Sequence, residues 1–431
     1  MKKVLFISIL LFGQSSDFNL YAAPRGAATS NYSEDSDPKG YVDSSKWEMV
    51  WSDEFDYENS NLEKKWISDD GRYKSQILCT RHRENAVVED GTLKLINKRE
   101  SRNPKTEWTS GNVWTKETFQ YGYFECRYKY AAAYTTNNAF WIMPAPGTPI
   151  PKGGIKYEID INEGRYPNEL YLDLHDWTNF KMVDGQKVFP RDSKCYVYGA
   201  EPEVSIVLNT PLKSSKIRFS TKHKRAFRMG EFRILAPNSK REYPSIMKEG
   251  DITGNYLKDR GVQFEVCGKG DAKSVLALKK AFDGNPDTPW LAPLDGDKYF
   301  TVDLGMEKYI GAVQFVTGSP SSKTGAWTGM LTDYLIEAWD GKRWVKVHEW
   351  DVRQVANFAE QYHTYGLEWT KRELIYYFDG VPIRREPNKL CHNPGNVYLS
   401  LAILKYLGQV PDDVDGSSME VDYVRIYKER K

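Results

Sequence analysis

The chain is poor in cysteine, almost without net charge, and has only one long apolar run. Its five cysteines, among 431 residues, are scattered without a CxxC pair, and its six histidines form no pair at helical spacing. We therefore expect neither a disulfide framework nor a zinc site, although one disulfide is compatible with the sequence. The 60 Lys and Arg residues are balanced by 59 Asp and Glu residues, and this net charge of +1 argues against a nucleic-acid partner.

The apolar run lies at the start of the chain. It covers residues 4–13, follows Lys2 and Lys3, and precedes a candidate cleavage site at 20–22 (LYA) or 21–23 (YAA). This pattern is typical of an export signal, and the run is too short to cross a bilayer. We expect a signal peptide at 1–23, no membrane span, and an exported protein that is periplasmic or secreted; a buried N-terminal strand is the alternative.

Aromatic residues are abundant, with 13 Trp, 28 Tyr and 18 Phe. From Trp47 onward, short alternating, β-branched and aromatic runs recur between turn residues, and Asp90-Gly91 and Asp379-Gly380 are hairpin turn signals. Few stretches keep a helical period. The pattern predicts an all-β protein with a two-sheet sandwich. Residues 24–46, rich in Ser, Gly, Asp and Pro, predict a disordered leader.

The sequence pattern changes near residue 197 and changes back near residue 355. The segment between has strand patterns of its own, such as 204–208 and 216–219. An insertion at an exposed loop is thermodynamically tolerable. We therefore expect 47–196 and 356–431 to form one sandwich, with 197–355 as a second, inserted β-sandwich.

Three acidic residues crowd one predicted strand, in residues 158–163 (EIDINE). In a regular strand Glu158 and Asp160 share a face, whereas Glu163 points to the other. One bulged residue around 161–162 would bring all three acids onto one face. Because like charges nearby raise the proton affinity of at least one group, folding alone does not favour this arrangement, whereas acid–base chemistry uses it.

Paired carboxyl groups are what cleavage of a glycosidic bond requires. A separation of about 5–5.5 Å gives retention and one of about 6.5–9.5 Å gives inversion. The sequence leaves these two outcomes open. A solvated acidic strand and a site for a hard cation are the alternatives to catalysis.

The acidic motif resembles the bulged catalytic signature of glycoside hydrolase family 16, which laminarinases, agarases, porphyranases and κ-carrageenases share. Further motifs carry the resemblance on both sides of the insert. In chain order they are 51–55 (WSDEF), 110–116 (SGNVWTK), 121–125 (YGYFE), 139–141 (AFW), 362–369 (YHTYGLEW) and 421–425 (VDYVR). The resemblance covers about 47–190 and 356–428, and it implies a concanavalin-like jelly-roll sandwich.

The resemblance also implies residue roles. Glu158 corresponds to the nucleophile, Glu163 to the general acid and base, and Asp160 to a residue that hydrogen-bonds and tunes the nucleophile. The extra residue distinguishes the motif from that of the unbulged lichenases. The implied activity is that of an exported endo-β-glycosidase acting on a β-linked polysaccharide, a glucan or a galactan, by the retaining mechanism. A non-catalytic carbohydrate-binding protein on the same scaffold and an adhesion protein are the competing functions.

Several other residues are candidates for binding the sugar. The two favoured stacking residues are Trp141 and Trp177, and His175 would share a strand face with Trp177. Trp108, Trp114, Arg81 and Arg83 are further candidates for the lining of a cleft. For each Trp the alternative is a core position, and for each Arg it is a solvated strand position.

The inserted segment resembles a discoidin-like (coagulation factor 5/8 type C) sandwich in circularly permuted order. Its Trp290, Trp339 and Trp344 correspond to core aromatics of that fold, so a structural role and a sugar-binding role are both open. Asp422 resembles a residue that helps to hold a structural calcium ion; a hydrogen-bonded strand Asp is the alternative. No organic cofactor is implied, the expected partner is a polysaccharide, and we expect a monomer.

Overall fold

The computed structural model describes residues 35–69, 71, 73–222, 226–247, 252–266, 276–292, 298–320 and 327–431. The predicted signal peptide at 1–23 lies outside the described residues, as does Cys267. The other four cysteines, Cys79, Cys126, Cys195 and Cys391, are buried. Within the described ranges, no helix has the length and apolar character that a bilayer crossing requires.

Strands dominate the described chain. Before the predicted insert they are β1 (Trp47–Asp53), β2 (Trp66–Ser68), β3 (Cys79–Arg81), β4 (Ala86–Glu89), β5 (Thr92–Ile96), β6 (Trp108–Ser110), β7 (Asn112–Thr115), β8 (Gly122–Lys129), β9 (Thr136–Met143), β10 (Tyr157–Arg165), β11 (Glu169–Asp176), β12 (Lys181–Val183), β13 (Gln186–Val188) and β14 (Arg191–Val197). They continue as β15 (Glu203–Thr221), β16 (Arg228–Leu235), β17 (Gln263–Val266), β18 (Trp290–Leu291), β19 (Lys298–Thr317), β20 (Ser319–Pro320), β21 (Trp327–Thr328), β22 (Asp333–Trp339) and β23 (Trp344–Asp351). The last five are β24 (His363–Trp369), β25 (Glu373–Phe378), β26 (Val381–Pro387), β27 (Asn396–Ile403) and β28 (Ser418–Glu429).

The helical segments with described bounds are short 3-10 turns between strands. They are Asn59–Lys64, Arg83–Asn85, Tyr256–Lys258, Lys279–Phe282, Val352–Gln354, Lys405–Leu407 and Asp412–Val414. The described chain divides into two compact units: the first consists of the described residues up to 199 together with 353–431, and the second consists of the described residues of 200–352.

The first unit is a sandwich of two antiparallel sheets, which confirms the all-β prediction. Sheet I has the strand order β26-β25-β24-β8-β28-β5-β4, with β1 paired to β28. Sheet II has the order β14-β11-β10-β9-β27-β7-β2. Buried aromatic rings join the two inner faces; the ring centroids of Tyr157 on β10 and Trp369 on β24 lie 5.7 Å apart.

The inner face of β10 fixes which residues face outward. Tyr157 and Ile159 are fully buried, and Asn162 donates to the hydroxyls of Tyr128 and Tyr130 at 2.6 and 2.9 Å. Residue 164 must be glycine, because a Cβ atom there would come within 2.2 Å of the Tyr130 ring. The acids of β10 therefore project from the opposite, outer face of sheet II.

The second unit is built on one sheet of order β18-β16-β19-β15-β22-β23, with β17 paired to β19. The long strands β15 and β19 pair along three stretches that are separated by two register shifts. Aromatic side chains from both ends of β19 meet Phe219 of β15; the ring centroids of Phe300 and Phe315 lie 5.1 and 5.9 Å from it. One hydrophobic core thus serves the whole unit. Its resemblance to a discoidin-like sandwich stays a prediction.

The tryptophans of the second unit differ from one another. Trp290 is buried in the core, with 3% of its surface exposed. Trp339 and Trp344 are only half-buried and face each other across the β22–β23 hairpin, where the Arg218 guanidinium lies 3.9 Å from the Trp344 ring centroid. The expectation that all three are core aromatics is therefore wrong for these two, because a residue pair at a hairpin end keeps contact with solvent.

The predicted disordered leader is wrong for its described part, residues 35–46. Ser36 is buried and accepts hydrogen bonds from the Arg127 guanidinium, and the Tyr41 amide donates to Glu125 at 3.2 Å. The composition of this segment suits a loop. Loop backbone also satisfies buried charged groups on the outer face of sheet I, which composition alone does not reveal.

We expect Asn162→Ala to destabilise the first unit, because it removes two buried hydrogen bonds and leaves the Tyr128 and Tyr130 hydroxyls without their donor. The loss in unfolding free energy should be about 2–3 kcal/mol. Urea denaturation at neutral pH measures it. An unchanged unfolding midpoint and slope would contradict this role of Asn162.

Candidate active site

The predicted bulge is present in β10. Along the β9 edge, Asp160 pairs with Trp141 and Asn162 pairs with Phe140, so Ile161 is the additional residue. The register against β11 shifts in the same interval. The extra residue restores the parity of the strand, and the side chains of Glu158, Asp160 and Glu163 share the outer face. These side chains retain 19%, 4% and 24% of their exposure.

His175 and Trp177 flank the Glu158 end of this cluster. The Nε2 atom of His175 lies 3.3 Å from Asp160 Oδ2 and 3.9 Å from Glu158 Oε1. The indole Nε1 of Trp177 donates to Glu158 Oε2 at 2.9 Å. The rings of His175 and Trp177 stack in parallel, with their centroids 5.0 Å apart. The structure thus places both predicted residues beside the predicted nucleophile, on alternate positions that run from β11 into the following turn.

Glu163 has different neighbours at the other end of the cluster. Asn137 on β9 donates to Glu163 Oε1 at 2.6 Å. Asp173 on β11 is fully buried and forms an ion pair with Arg191 on β14, whose Nη2 lies 3.9 Å from Glu163 Oε2. Sequence reasoning missed these three residues. Asp173 could have been found, since it stands two positions before His175 on the same face of a strand; Arg191 depends on a pairing register that the sequence does not give.

Burial sets the proton affinities of the carboxyl groups. Burial raises the pKa of Glu158, against which the hydrogen bond from Trp177 works. It raises the pKa of Asp160 well above its ordinary value, and the charges of Glu158 and Glu163 add to this effect. Burial, with the charge of Asp173, raises the pKa of Glu163 to about 7. Different carboxyl groups of one cluster thus differ in their readiness to release a proton.

Burial has the opposite effect on His175, because the charged form of a histidine is the protonated one. It lowers the pKa of this imidazole to about 4, and the positive charge of Arg191 contributes. His175 is therefore neutral at neutral pH. It acts beside the acids as a hydrogen-bonding group rather than as a cation.

A row of aromatic rings crosses sheet II and ends at the acids. Trp141 pairs in register with both Asp160 and Tyr398, and Tyr398 pairs with Trp114. The Tyr398 ring stacks on Trp141 at 4.1 Å and on Trp114 at 5.6 Å between centroids. The predicted residues Trp141 and Trp114 thus lie on the outer face with the acids. Tyr398 was missed because its strand follows the insert, far away in sequence.

Two predicted cleft residues lie elsewhere. Trp108 is buried in a small separate core with Ile77 and Cys79, and keeps 6% of its exposure. The Arg83 guanidinium is held by Glu63 and by the backbone oxygens of Asn59 and Ala86. The prediction that these two side chains line a cleft is therefore wrong, because local packing and local hydrogen bonds take them up. Arg81 is likewise buried.

The described residues do not fit the predicted calcium site. The Asp422 carboxylate accepts from Arg127 Nη1 at 2.6 Å, and Arg425 pairs with Glu54 at 2.8 Å. These arginines already supply the positive charge that a calcium ion would bring. Calcium binding stays a prediction to which this arrangement gives no support.

A β-sandwich that carries crowded carboxyl groups beside a row of aromatic rings has the features that glycoside hydrolases use. The sequence model of Glycosyl hydrolases family 16 matches residues 338–424 of this chain. The match supports the resemblance that the motifs predict.

The curated relatives that match belong to the same class of enzyme. The chain is 35% identical over 143 residues to the "Beta-glucanase" of Rhodothermus marinus, covering 30% of this chain and 48% of that protein. It is 38% identical over 72 residues to "Endo-1,3-1,4-beta-glycanase ExsH" of Rhizobium meliloti, covering 16% of this chain and 15% of that protein. The chain thus spans less than half of the length of each.

A solved structure is also similar to this chain, the laminarinase catalytic domain from Thermotoga maritima MSB8. The sequence identity is 15% and the TM-score is 0.45, over 90% of this chain and 100% of that chain. With the family match and the curated relatives, the predicted similarity to glycoside hydrolases is confirmed.

The raised pKa of Glu163 predicts a dependence of stability on pH. Between the unfolded value of about 4.3 and the folded value of about 7, the folded state binds the extra proton, so stability falls as the pH rises through this window. The glutamine side chain of the Glu163→Gln variant does not titrate, so this variant does not lose stability as the pH rises. We expect it to be more stable than the parent at pH 8, by up to about 3 kcal/mol, and not at pH 4.

Urea denaturation of both proteins at the two pH values measures the difference. The exposed Glu117→Gln serves as the matched control and should show no such pH-dependent gain. Equal stabilities of Glu163→Gln and the parent at pH 8 would show that burial of the Glu163 charge is not costly.

Proposed function

We propose that this protein is an exported endo-β-glycosidase that hydrolyses a β-linked polysaccharide, a glucan or a galactan, with retention of configuration. The observation that carries the proposal is the bulge at Ile161, which brings Glu158, Asp160 and Glu163 onto one face of sheet II. The crowding of these acids costs stability, and this cost is explained if the groups react.

In the proposed reaction, the Glu158 carboxylate attacks the anomeric carbon while Glu163 gives its proton to the leaving oxygen. A water molecule, deprotonated by Glu163, then releases the sugar from Glu158. The pKa of Glu163, about 7, suits a group that must first donate and later accept a proton near neutral pH. The hydrogen bond from Trp177 supports Glu158 as the ionised partner, since it favours the charged form.

The residues around the acids supply the other parts of such a site. Burial and the charges of Glu158 and Glu163 raise the pKa of Asp160 well above its ordinary value, which disfavours a second negative charge beside Glu158. The half-buried Trp114 and Trp141 are the members of the row that sugar rings can contact, whereas Tyr398 is stacked between them and keeps only 4% of its exposure. The activities for which the relatives are named, those of a β-glucanase, an endo-1,3-1,4-β-glycanase and a κ-carrageenase, favour β-glucans and galactans as substrates.

The second candidate function is that of a non-catalytic carbohydrate-binding protein on the same scaffold. The aromatic row would serve a binder as well as an enzyme. A binder has no use for buried carboxyl groups that raise one another's pKa, and this observation favours the hydrolase.

We expect Glu158→Gln to lower hydrolysis by about 10³-fold or more, because the amide cannot attack the anomeric carbon. The measurement is reducing-end release and product sizing on laminarin, mixed-linkage glucan, agarose, porphyran, carrageenan and mucin glycans. Retained binding of the polymer that the parent cleaves would show that the variant is folded. A Glu158→Gln protein that still hydrolyses this polymer refutes the assignment.

The wild-type enzyme should lose activity at alkaline pH with a midpoint near 7, since only protonated Glu163 can protonate the leaving oxygen. The pH profile of kcat/KM on the cleaved polymer measures the midpoint. The Glu163→Gln variant should lack this alkaline limb in its residual activity. A wild-type profile that stays flat up to pH 9 would contradict the role of Glu163.

Removal of metal ions by chelation distinguishes a hydrolytic site from a cation-binding site. The carboxylate oxygens of Asp160, Glu163 and Asp173 lie within 4.8 Å of one another, which would also suit a hard cation. We expect dialysis against EDTA to leave hydrolysis and the melting temperature unchanged. Loss of activity that added calcium or magnesium restores would favour the cation site.

A further inference from the structure

One buried carboxyl group beside Glu163 has no part in the proposed double displacement. Asp173 is fully buried, and it faces Asp160 across the β10–β11 register. Its Oδ1 atom receives no hydrogen bond from a nitrogen or hydroxyl donor of the described residues. A buried acceptor without a donor is costly. The carboxyl groups of Asp160 and Glu163 both lie near Asp173, with oxygens of all three residues within 4.8 Å of one another. Of these two neighbours, Glu163 shares a side-chain hydrogen bond with Asp173 that contributes to the raised pKa of Glu163, so we take the Glu163 proton as the donor.

Arg191 supplies the countercharge for Asp173. It lies on β14 opposite His175, and its guanidinium reaches back to form the ion pair with Asp173 Oδ2. The same Nη2 atom lies 3.9 Å from Glu163 Oε2. Without Arg191, the Asp173 carboxylate would be a buried charge with no cation beside it, which is strongly unfavourable.

We propose that Asp173 and Arg191 form a positioning pair for Glu163. Asp173 accepts a hydrogen bond from the protonated oxygen of the Glu163 carboxyl, which keeps Glu163 oriented and protonated. Arg191 holds Asp173 in place. Asn137 holds the other oxygen of Glu163 from β9. What the proton is used for rests on the proposed function; the contact itself does not.

The other charged or titratable groups near Glu163 are few. They are Asp160 and Arg165 on β10, Tyr171 opposite Glu163 on β11, and Tyr406, whose hydroxyl accepts from Arg165 at 2.8 Å. Arg165 lies over the Tyr171 ring, 3.5 Å from its centroid. The Arg165 charge lowers the pKa of Glu163, whereas Asp173 raises it. Substitutions of Asp173 and Arg191 leave Arg165 unchanged, so they test the Asp173–Arg191 pair separately from Arg165.

The direct test is the titration of the Glu163 carboxyl, followed by ¹³C NMR with labelled glutamate and assigned with Glu163→Gln. Asp173→Asn should lower the midpoint by about one pH unit, because the negative charge beside the proton is lost. Arg191→Gln should raise the midpoint, and Arg191→Lys should restore it towards the parent value. Asp184→Asn, an equal change of charge at an exposed turn, is the control.

A midpoint that is the same in Asp173→Asn and in Asp184→Asn overturns the proposal. If Asp173→Asn does not fold, the half-exposed Arg191 variants decide the matter, and equal midpoints for Arg191→Gln and the parent overturn it. These titrations need no substrate, so they remain decisive even if the parent cleaves none of the polymers and the proposed function fails.

Kinetics on the cleaved polymer give the second measurement. Asp173→Asn should lower kcat about 10-fold with KM within twofold of the parent, and it should move the alkaline limb of the pH profile down together with the NMR midpoint. A merely structural residue would lower activity in parallel with the folded fraction and leave the limb where it is, which would overturn the role.

Discussion

The structure of this site depends on one additional residue in one strand. With Ile161 inserted against β9, the strand keeps Tyr157, Ile159 and Asn162 inward and its acids outward. The inner side holds this irregularity in place, because the Asn162 amide binds two tyrosine hydroxyls within the sandwich. The inward-facing Asn162 amide nitrogen thereby has two acceptors, which a buried donor requires, whereas its Oδ1 atom has no hydrogen-bond donor among the described residues. The packing of the inner face and the position of the acids on the outer face thus both depend on the register of β10.

The outer face shows how a single environment gives its groups different properties. Burial raises the pKa values of the three acids and lowers that of His175, because it penalises the charged form of each group. Hydrogen bonds then distinguish the ends of the cluster. Trp177 donates to Glu158, whereas Asp173 lies beside Glu163. The sheet register produces this division, since each neighbour comes from a different position across β11.

Much of this arrangement could be predicted from the sequence, and the limits have physical causes. Alternation along one strand needs only local information, so the all-β fold, the bulge and the placement of His175 and Trp177 followed from it. Pairing across strands does not, and Arg191 and Tyr398 were therefore missed. Trp108 and Arg83 were misplaced because a residue type shows what a side chain can do, not which neighbour it meets. The leader was misjudged for a similar reason: its partners, such as Arg127, lie far away along the chain.

The bulge also separates two properties of β10 that are usually linked, its length and the direction in which its side chains point. A strand without Ile161 would alternate plainly, and Glu158, Asp160 and the residue now numbered 163 would still share one side. A shorter and a longer version of the motif can therefore both present the same acids on one face of the strand. In this chain the longer version is anchored beneath its acids, because the amide of Asn162, which precedes Glu163, donates to two tyrosine hydroxyls.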